Sequence, residues 1–287
     1  MTAEFSERFI VTPDGLRLFV RGYDGGGAKS PVICLHGLTR NSADFETVGP
    51  FVSGLGRNVY AMDVRGRGRS DRDPDPSRYR PDVYAQDVLH VLNALDIREA
   101  VFIGTSMGGL ITMVLAVTAP ERIVGSVLND IGPVVNPAGL ARIAGYVGSR
   151  GPFDSWDVLV EAVRTTQSGA FPGANDEFWR TFARRVAREL PDGRVSFDYD
   201  PSIAQGFAQP SGVVPVDLQA LFSALAKKPT LLLRGELSDI LAPEGVEVMR
   251  KLSPELQVVQ VPNVGHAPTL DEPVACEAIQ RFLSVIR

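Results

Sequence analysis

Short runs of continuous apolar residues alternate along the chain with longer stretches whose apolar positions recur at three- and four-residue spacing. Residues 16–23 alternate and predict a strand, and compact apolar runs follow at 32–35, 59–62, 101–103, 124–128, 230–233 and 258–261. Between them, 84–95 carries Val88, Leu89, Leu92 and Leu95 on one side of a helix, 107–119 is an apolar helix stopped by Pro120, and 274–286 is a final helix. Continuously apolar strands separated by helices indicate a parallel sheet covered on both faces. The predicted class is therefore α/β, doubly wound.

The pattern breaks between residues 131 and 225, where proline is frequent, the helices look short and amphipathic, and no buried strand is evident. Both tryptophans, Trp156 and Trp179, lie here. The expected organisation is a core of residues 1–131 and 226–287 with a helical cap, 132–225, inserted between two strands.

Composition adds limits. The 287 residues are 44% hydrophobic and 22% charged, ordinary for a globular chain that buries a core without staples. Net charge is −5, and the arginines at 65, 67, 69 and 72 are interleaved with Asp63, Asp71 and Asp73. Such a mixed field argues against nucleic acid as a partner. The two cysteines, Cys34 and Cys276, make no disulfide framework and are expected buried and reduced. No apolar run approaches the ~20 residues that span a bilayer, and the first residues lack a basic segment followed by an apolar one. A cytoplasmic protein without a membrane partner is the expectation.

The candidate chemistry stands at the ends of the apolar runs. Gly104-Thr105-Ser106-Met107-Gly108 has the G-x-S-x-G form, after a buried strand and before a buried helix. Small neighbours allow the sharp turn that exposes a serine hydroxyl at a helix N-terminus, where negative charge is favoured. Ser106 is the candidate nucleophile. Of three histidines, His90 falls in a helix pattern, whereas His266 lies in a Gly/Pro-flanked loop after the run 258–261. The carboxyl ends of parallel strands are where ligands bind, and an imidazole suits proton transfer near neutrality. His266 is the candidate base. Asp239, just past 230–233, is the preferred acid to orient it; Asp130, after 124–128, is the second candidate, and Glu236 the third.

The loop His36-Gly37-Leu38 follows the strand 32–35, and amides of Leu38 and Met107 are the expected oxyanion donors. Candidate substrate contacts are His36 and Arg40 on this loop, Arg40 as a two-pronged carboxylate donor, with Trp156 and Trp179 from the insertion. The insertion's aromatic residues, which also include Phe153, Phe171, Phe178, Phe182, Phe197 and Phe207, either roof an apolar pocket or form the insertion's own small core. The stretch Asp63-Val64-Arg65-Gly66-Arg67-Gly68-Arg69-Ser70 reads as structural, a glycine-permitted turn tied by Asp–Arg hydrogen bonds. No His/Cys/Asp cluster has metal-ligand spacing, and neither metal nor cofactor is expected.

Taken in order, Leu35-His36-Gly37, the Asp63–Ser70 stretch, Gly104-Thr105-Ser106-Met107-Gly108-Gly109, Gly235-Glu236-Leu237-Ser238-Asp239 and Gly265-His266-Ala267-Pro268 resemble the α/β-hydrolase superfamily. Within it, the likeness is to capped, cofactor-free members that include carboxylesterases, enol-lactonases and C–C bond hydrolases. The resemblance covers about residues 5–130 and 228–287, not the insertion. It implies an eight-stranded, mostly parallel sheet with a lid after the sixth strand. Serine at position 106 argues against epoxide hydrolases and haloalkane dehalogenases, which carry aspartate there. The expected activity is hydrolysis of the carboxylic ester bond of a small apolar substrate through an acyl-enzyme. A lactonase or C–C bond hydrolase with the same triad, or a ligand-binding protein without turnover, stays open, because fold does not fix function.

Overall fold

The computed structural model describes residues 4–27, 29–148, 151–208 and 217–286, with the backbone alone at 206–208. Phe207 therefore has its side chain outside the described residues. The chain runs β1 (Ser6–Val11), β2 (Arg17–Tyr23), β3 (Val32–Leu35), α1 (Val48–Ser53), β4 (Val59–Met62), α2 (Pro81–Ala94), β5 (Ala100–Thr105), α3 (Met107–Thr118) and β6 (Ile123–Asn129). Next come α4 (Pro137–Ala144), α5 (Trp156–Gln167), α6 (Asp176–Val186), β7 (Ala187–Glu189), β8 (Val195–Phe197), α7 (Ile203–Ala208) and α8 (Leu218–Leu225). Last are β9 (Thr230–Gly235), α9 (Pro243–Leu252), β10 (Gln257–Val261) and α10 (Pro273–Val285).

Eight strands form one sheet in the order β1-β2-β4-β3-β5-β6-β9-β10. The pairs β1–β2 and β2–β4 are antiparallel; all others are parallel. The apolar runs are continuous because both faces are covered. On β3, Ile33 and Leu35 join the cluster packed by α2 and α3, while Val32 and Cys34 join the one packed by α1 and α10. The same alternation divides Phe102 from Ile103 on β5 and Leu232 from Leu233 on β9. Cys34 is buried, Cys276 partly so, and both are free.

Strand β1 differs from expectation. Its residues Ser6, Glu7, Arg8, Phe9 and Val11 are exposed and only Ile10 is buried. An edge strand with one covered position carries no apolar run, so nothing in hydropathy announces it.

The cap follows the sixth strand. Its own core packs Leu159, Val163, Phe171, Trp179, Phe182 and Val195, and includes the hairpin β7–β8, absent from the expectation because three-residue strands leave no period to read. Helix α8 lies inside the stretch 132–225 but packs Phe222 and Leu225 into the main core against α3. Among the described residues, no helix is long and apolar enough to cross a membrane.

The arginine-rich turn after β4 locks the two parts together. Arg65, 2% exposed, donates two bonds to Asp87 (2.6 and 2.5 Å), one to Asp73 (2.6 Å) and one to Asp14 (3.0 Å). Arg67 donates to the carbonyls of Leu38 (3.0 Å) and Arg65 (2.8 Å) and to the Tyr84 hydroxyl (2.8 Å). The turn's backbone then pairs with the cap: the Gly68 amide donates to Asp198 and the Asp200 amide to Gly66, each at 2.7 Å. Removing one partner of a buried, hydrogen-bonded ion cluster strands the others, at a cost of about 3–5 kcal/mol. Arg65→Ala is expected to lose stability on that scale in urea unfolding followed by circular dichroism. A loss under about 1 kcal/mol would mean the three carboxylates find other partners.

Candidate active site

The strand order changes direction at β3 and β5, and side chains from the carboxyl ends of β3, β5, β6, β9 and β10 meet there. Ser106 occupies the turn from β5 to α3 with φ 50° and ψ −111°, a left-handed conformation costly for a residue with a Cβ. Its neighbours must be small. A Cβ on Gly108 would fall 2.0 Å from the Leu35 carbonyl oxygen, and one on Gly104 2.6 Å from the Gly108 backbone. The result stands the hydroxyl at the head of a twelve-residue helix.

The Ser106 Oγ lies 2.9 Å from His266 Nε2, and His266 Nδ1 lies 2.8 Å from Asp130 Oδ2. Asp130 is fully buried at the end of β6, with φ 56°. Its Oδ1 accepts the Gly235 amide at 2.9 Å, and its Oδ2 also accepts the Ser238 hydroxyl at 2.6 Å. The partner of His266 is thus Asp130, and Asp239 is corrected. Asp239 faces Arg142 of α4 in a two-pronged pair of 2.5 and 2.8 Å, and that guanidinium holds its carboxyl below the usual value. Glu236 accepts the Asn263 amide at 2.9 Å and props the histidine loop from outside.

That loop is fixed from three sides. Asn129 Nδ2 donates to the Pro268 carbonyl at 2.8 Å, the Leu237 amide to Val264 at 2.9 Å, and the Gly265 amide to Ala170 of the cap at 2.7 Å.

A cavity of about 290 Å³ opens above Ser106 and His266. Gly37, Leu38 and Arg40 border it from the core, and Phe153, Phe182 and Phe197 from the cap. Tyr146 and Tyr199 also line it; they stand singly among small and acidic residues, without a motif to mark them. A second cavity, about 510 Å³, adjoins at Tyr146, Thr166 and His266 and has Arg142 and Asp239 in its wall.

Three expected substrate contacts lie elsewhere. His36 is fully buried; its Nδ1 donates to the Gly37 carbonyl at 2.7 Å and its Nε2 accepts the Val64 amide at 3.0 Å. It pins the β3 loop to the β4 loop. Trp179 is buried in the cap core, and Trp156 lies under Arg184 with its Nε1 on Glu189, so neither borders the main cavity. Arg40 does border it, but its guanidinium is paired with Asp44 at 2.7 and 2.9 Å and stacked 4.0 Å over Phe182. Leu38 lies in the wall beside Ser106, and Met107 is the first residue of α3, next to the serine.

A family described as alpha/beta hydrolase fold matches residues 30–273. The chain belongs to the α/β-hydrolase fold family. A 3-hydroxybutyrate-oligomer hydrolase of Cupriavidus necator is 32% identical over 283 residues, which is 96% of this chain and 95% of that one. The crystal structure of an α/β-hydrolase from Novosphingobium aromaticivorans superposes with a TM-score of 0.91 at 43% identity, covering 99% of both chains. A 2-(acetamidomethylene)succinate hydrolase of Mesorhizobium japonicum is 25% identical over 259 residues, 90% of this chain and 89% of that one. In this α/β-hydrolase the order Ser106, Asp130, His266 runs along the chain, with the carboxylate on the residue that follows β6.

Burial pushes the His36 imidazole down to about 3, so it stays neutral in the folded chain where an unfolded histidine, near ~6.5, takes a proton. The unfolded state then binds more protons between those values, and stability falls as pH drops through that window. In His36→Gln, stability measured by urea unfolding should decline less steeply from pH 6 to 4 than in the native chain. Equal slopes would show that His36 carries no such penalty.

Proposed function

We propose that this α/β-hydrolase is a serine hydrolase that cleaves carboxylic ester bonds of a small, largely apolar substrate through an acyl-enzyme. The observation that carries the reading is the unbroken relay of Ser106, His266 and Asp130 beneath the apolar cavity. Ser106 attacks the ester carbonyl as His266 Nε2 takes the hydroxyl proton. Asp130, accepting from Nδ1, holds the tautomer and stabilises the imidazolium. The amides of Leu38 and Met107 receive the oxyanion, where losing one donor costs about 10²–10³ in rate. His266 gives its proton to the leaving alcohol, then activates the water that frees Ser106.

Two further observations favour this bond and substrate size. Oligomers of 3-hydroxybutyrate are joined by esters, so the relative from Cupriavidus necator acts on the same bond class. The cavity, about 290 Å³, lies near the lower end of ligand pockets, roughly 300–1,000 Å³.

Hydrolysis of short and medium p-nitrophenyl esters tests the reading. The native chain should turn over and Ser106→Ala should fall to background. A native chain no faster than background would favour the ligand-binding alternative. The same assay separates the two carboxylates. Asp130→Asn should lose about 10⁴ in kcat, the scale on which wrong imidazole tautomers fail. Asp239→Asn, whose carboxylate pairs with Arg142 and not with His266, should stay within about fivefold of the native chain, the rate equivalent of ~1 kcal/mol. The reverse ranking would return the acid role to Asp239.

A further inference from the structure

Ser238 is a residue to which neither the motif nor the proposed mechanism gives a role. It stands in the loop after β9, partly exposed, three residues beyond Gly235. Its hydroxyl makes three contacts. The amides of Leu241 and Ile240 donate to Oγ at 3.0 and 3.3 Å, and Oγ reaches Asp130 Oδ2 at 2.6 Å. A hydroxyl has one hydrogen to give and two lone pairs to receive. The two amides occupy the lone pairs, so the hydrogen points at Asp130. It lands on the same carboxylate oxygen that takes the His266 Nδ1 hydrogen.

We propose that Ser238 is a positioning residue that sets the basicity and aim of the Asp130–His266 pair, extending the relay to Ser106–His266–Asp130–Ser238. The inference rests on the reading of Ser106 and His266 as nucleophile and base.

Asp130 is fully buried, and its donors are three neutral hydrogens from Gly235, Ser238 and His266. The charged groups around it are otherwise engaged: Asp239 and Arg142 pair with each other, and Arg234 on β9 donates to the carbonyls of Leu241 and Glu236. Hydrogen bonds to a carboxylate disperse its charge. With the hydroxyl removed, the carboxylate keeps more of its charge and attracts an imidazolium at His266 more strongly. The oxygen is also freer to turn away from Nδ1. Ser238 is held by two amides of its own loop, which makes the aim of Asp130 depend on the loop after β9 as well as on β6.

The test is the pH profile of kcat/KM on a p-nitrophenyl ester for the native chain, Ser238→Ala, Ser238→Cys and Ser238→Thr. In the alanine variant kcat should fall about tenfold, the value of one hydrogen bond to a charged group, and the acidic limb should move to higher pH. Threonine, which keeps the hydroxyl, should restore both. Cysteine, a weak donor of similar shape, should shift the limb the same way as alanine and serves if alanine does not fold. An acidic limb unmoved in alanine or cysteine overturns the proposal whatever the rate. Failure of the reading beneath it would appear separately, as Ser106→Ala retaining native activity.

Discussion

One imidazole gripped at both nitrogens organises this molecule's functional face. His266 can meet Ser106 on one side and Asp130 on the other only if the ends of β5, β6 and β10 are held within a few ångströms of one another. The parallel sheet supplies that convergence, and the loops refine it. Asn129 ties β6 to the loop after His266, Gly235 and Ser238 bring the end of β9 onto Asp130, and His36 ties β3 to β4. Each bond joins different strands, so the site tests the whole sheet's register rather than any local turn.

Backbone strain is concentrated at the same place. Ser106 and Asp130, each directly after one of two neighbouring strands, both adopt positive φ. Neither is glycine, and both side chains contact His266. Strained conformations persist where the surroundings over-determine them, and here the surroundings are the central strands of the sheet, buried on both faces.

Much of the fold was legible because doubly covered strands are mostly apolar on both faces: β3, β5, β6 and β9 all stand out as runs, even with Ser126 on β6 and Arg234 on β9. Strand β1 was not, since its contribution is backbone pairing with one buried side chain, Ile10. At the site, the elbow glycines and the loop around His266 mark themselves through backbone geometry, which composition reflects. The acid does not. Asp130 and Asp239 follow adjacent strands, and either gives the chain order serine, aspartate, histidine. What separates them is which carboxylate turns inward, and that is decided by Arg142, nearly a hundred residues away in the cap, which draws Asp239 outward. The tryptophans misled for a related reason: a small cap needs large side chains for its own core before it can spare any for a pocket.

The cap rests on the core at several seams, and one of them reaches the histidine loop itself. The carbonyl of Ala170, between α5 and α6, accepts the Gly265 amide beside His266. A Cβ on Gly265 would come within 2.9 Å of Ala170, so roof and loop are in direct contact as well as bonded. Lifting this part of the roof must either break that bond or drag the loop with it. At this seam the roof and the loop that carries His266 are a single mechanical unit, joined by one backbone bond and one close contact.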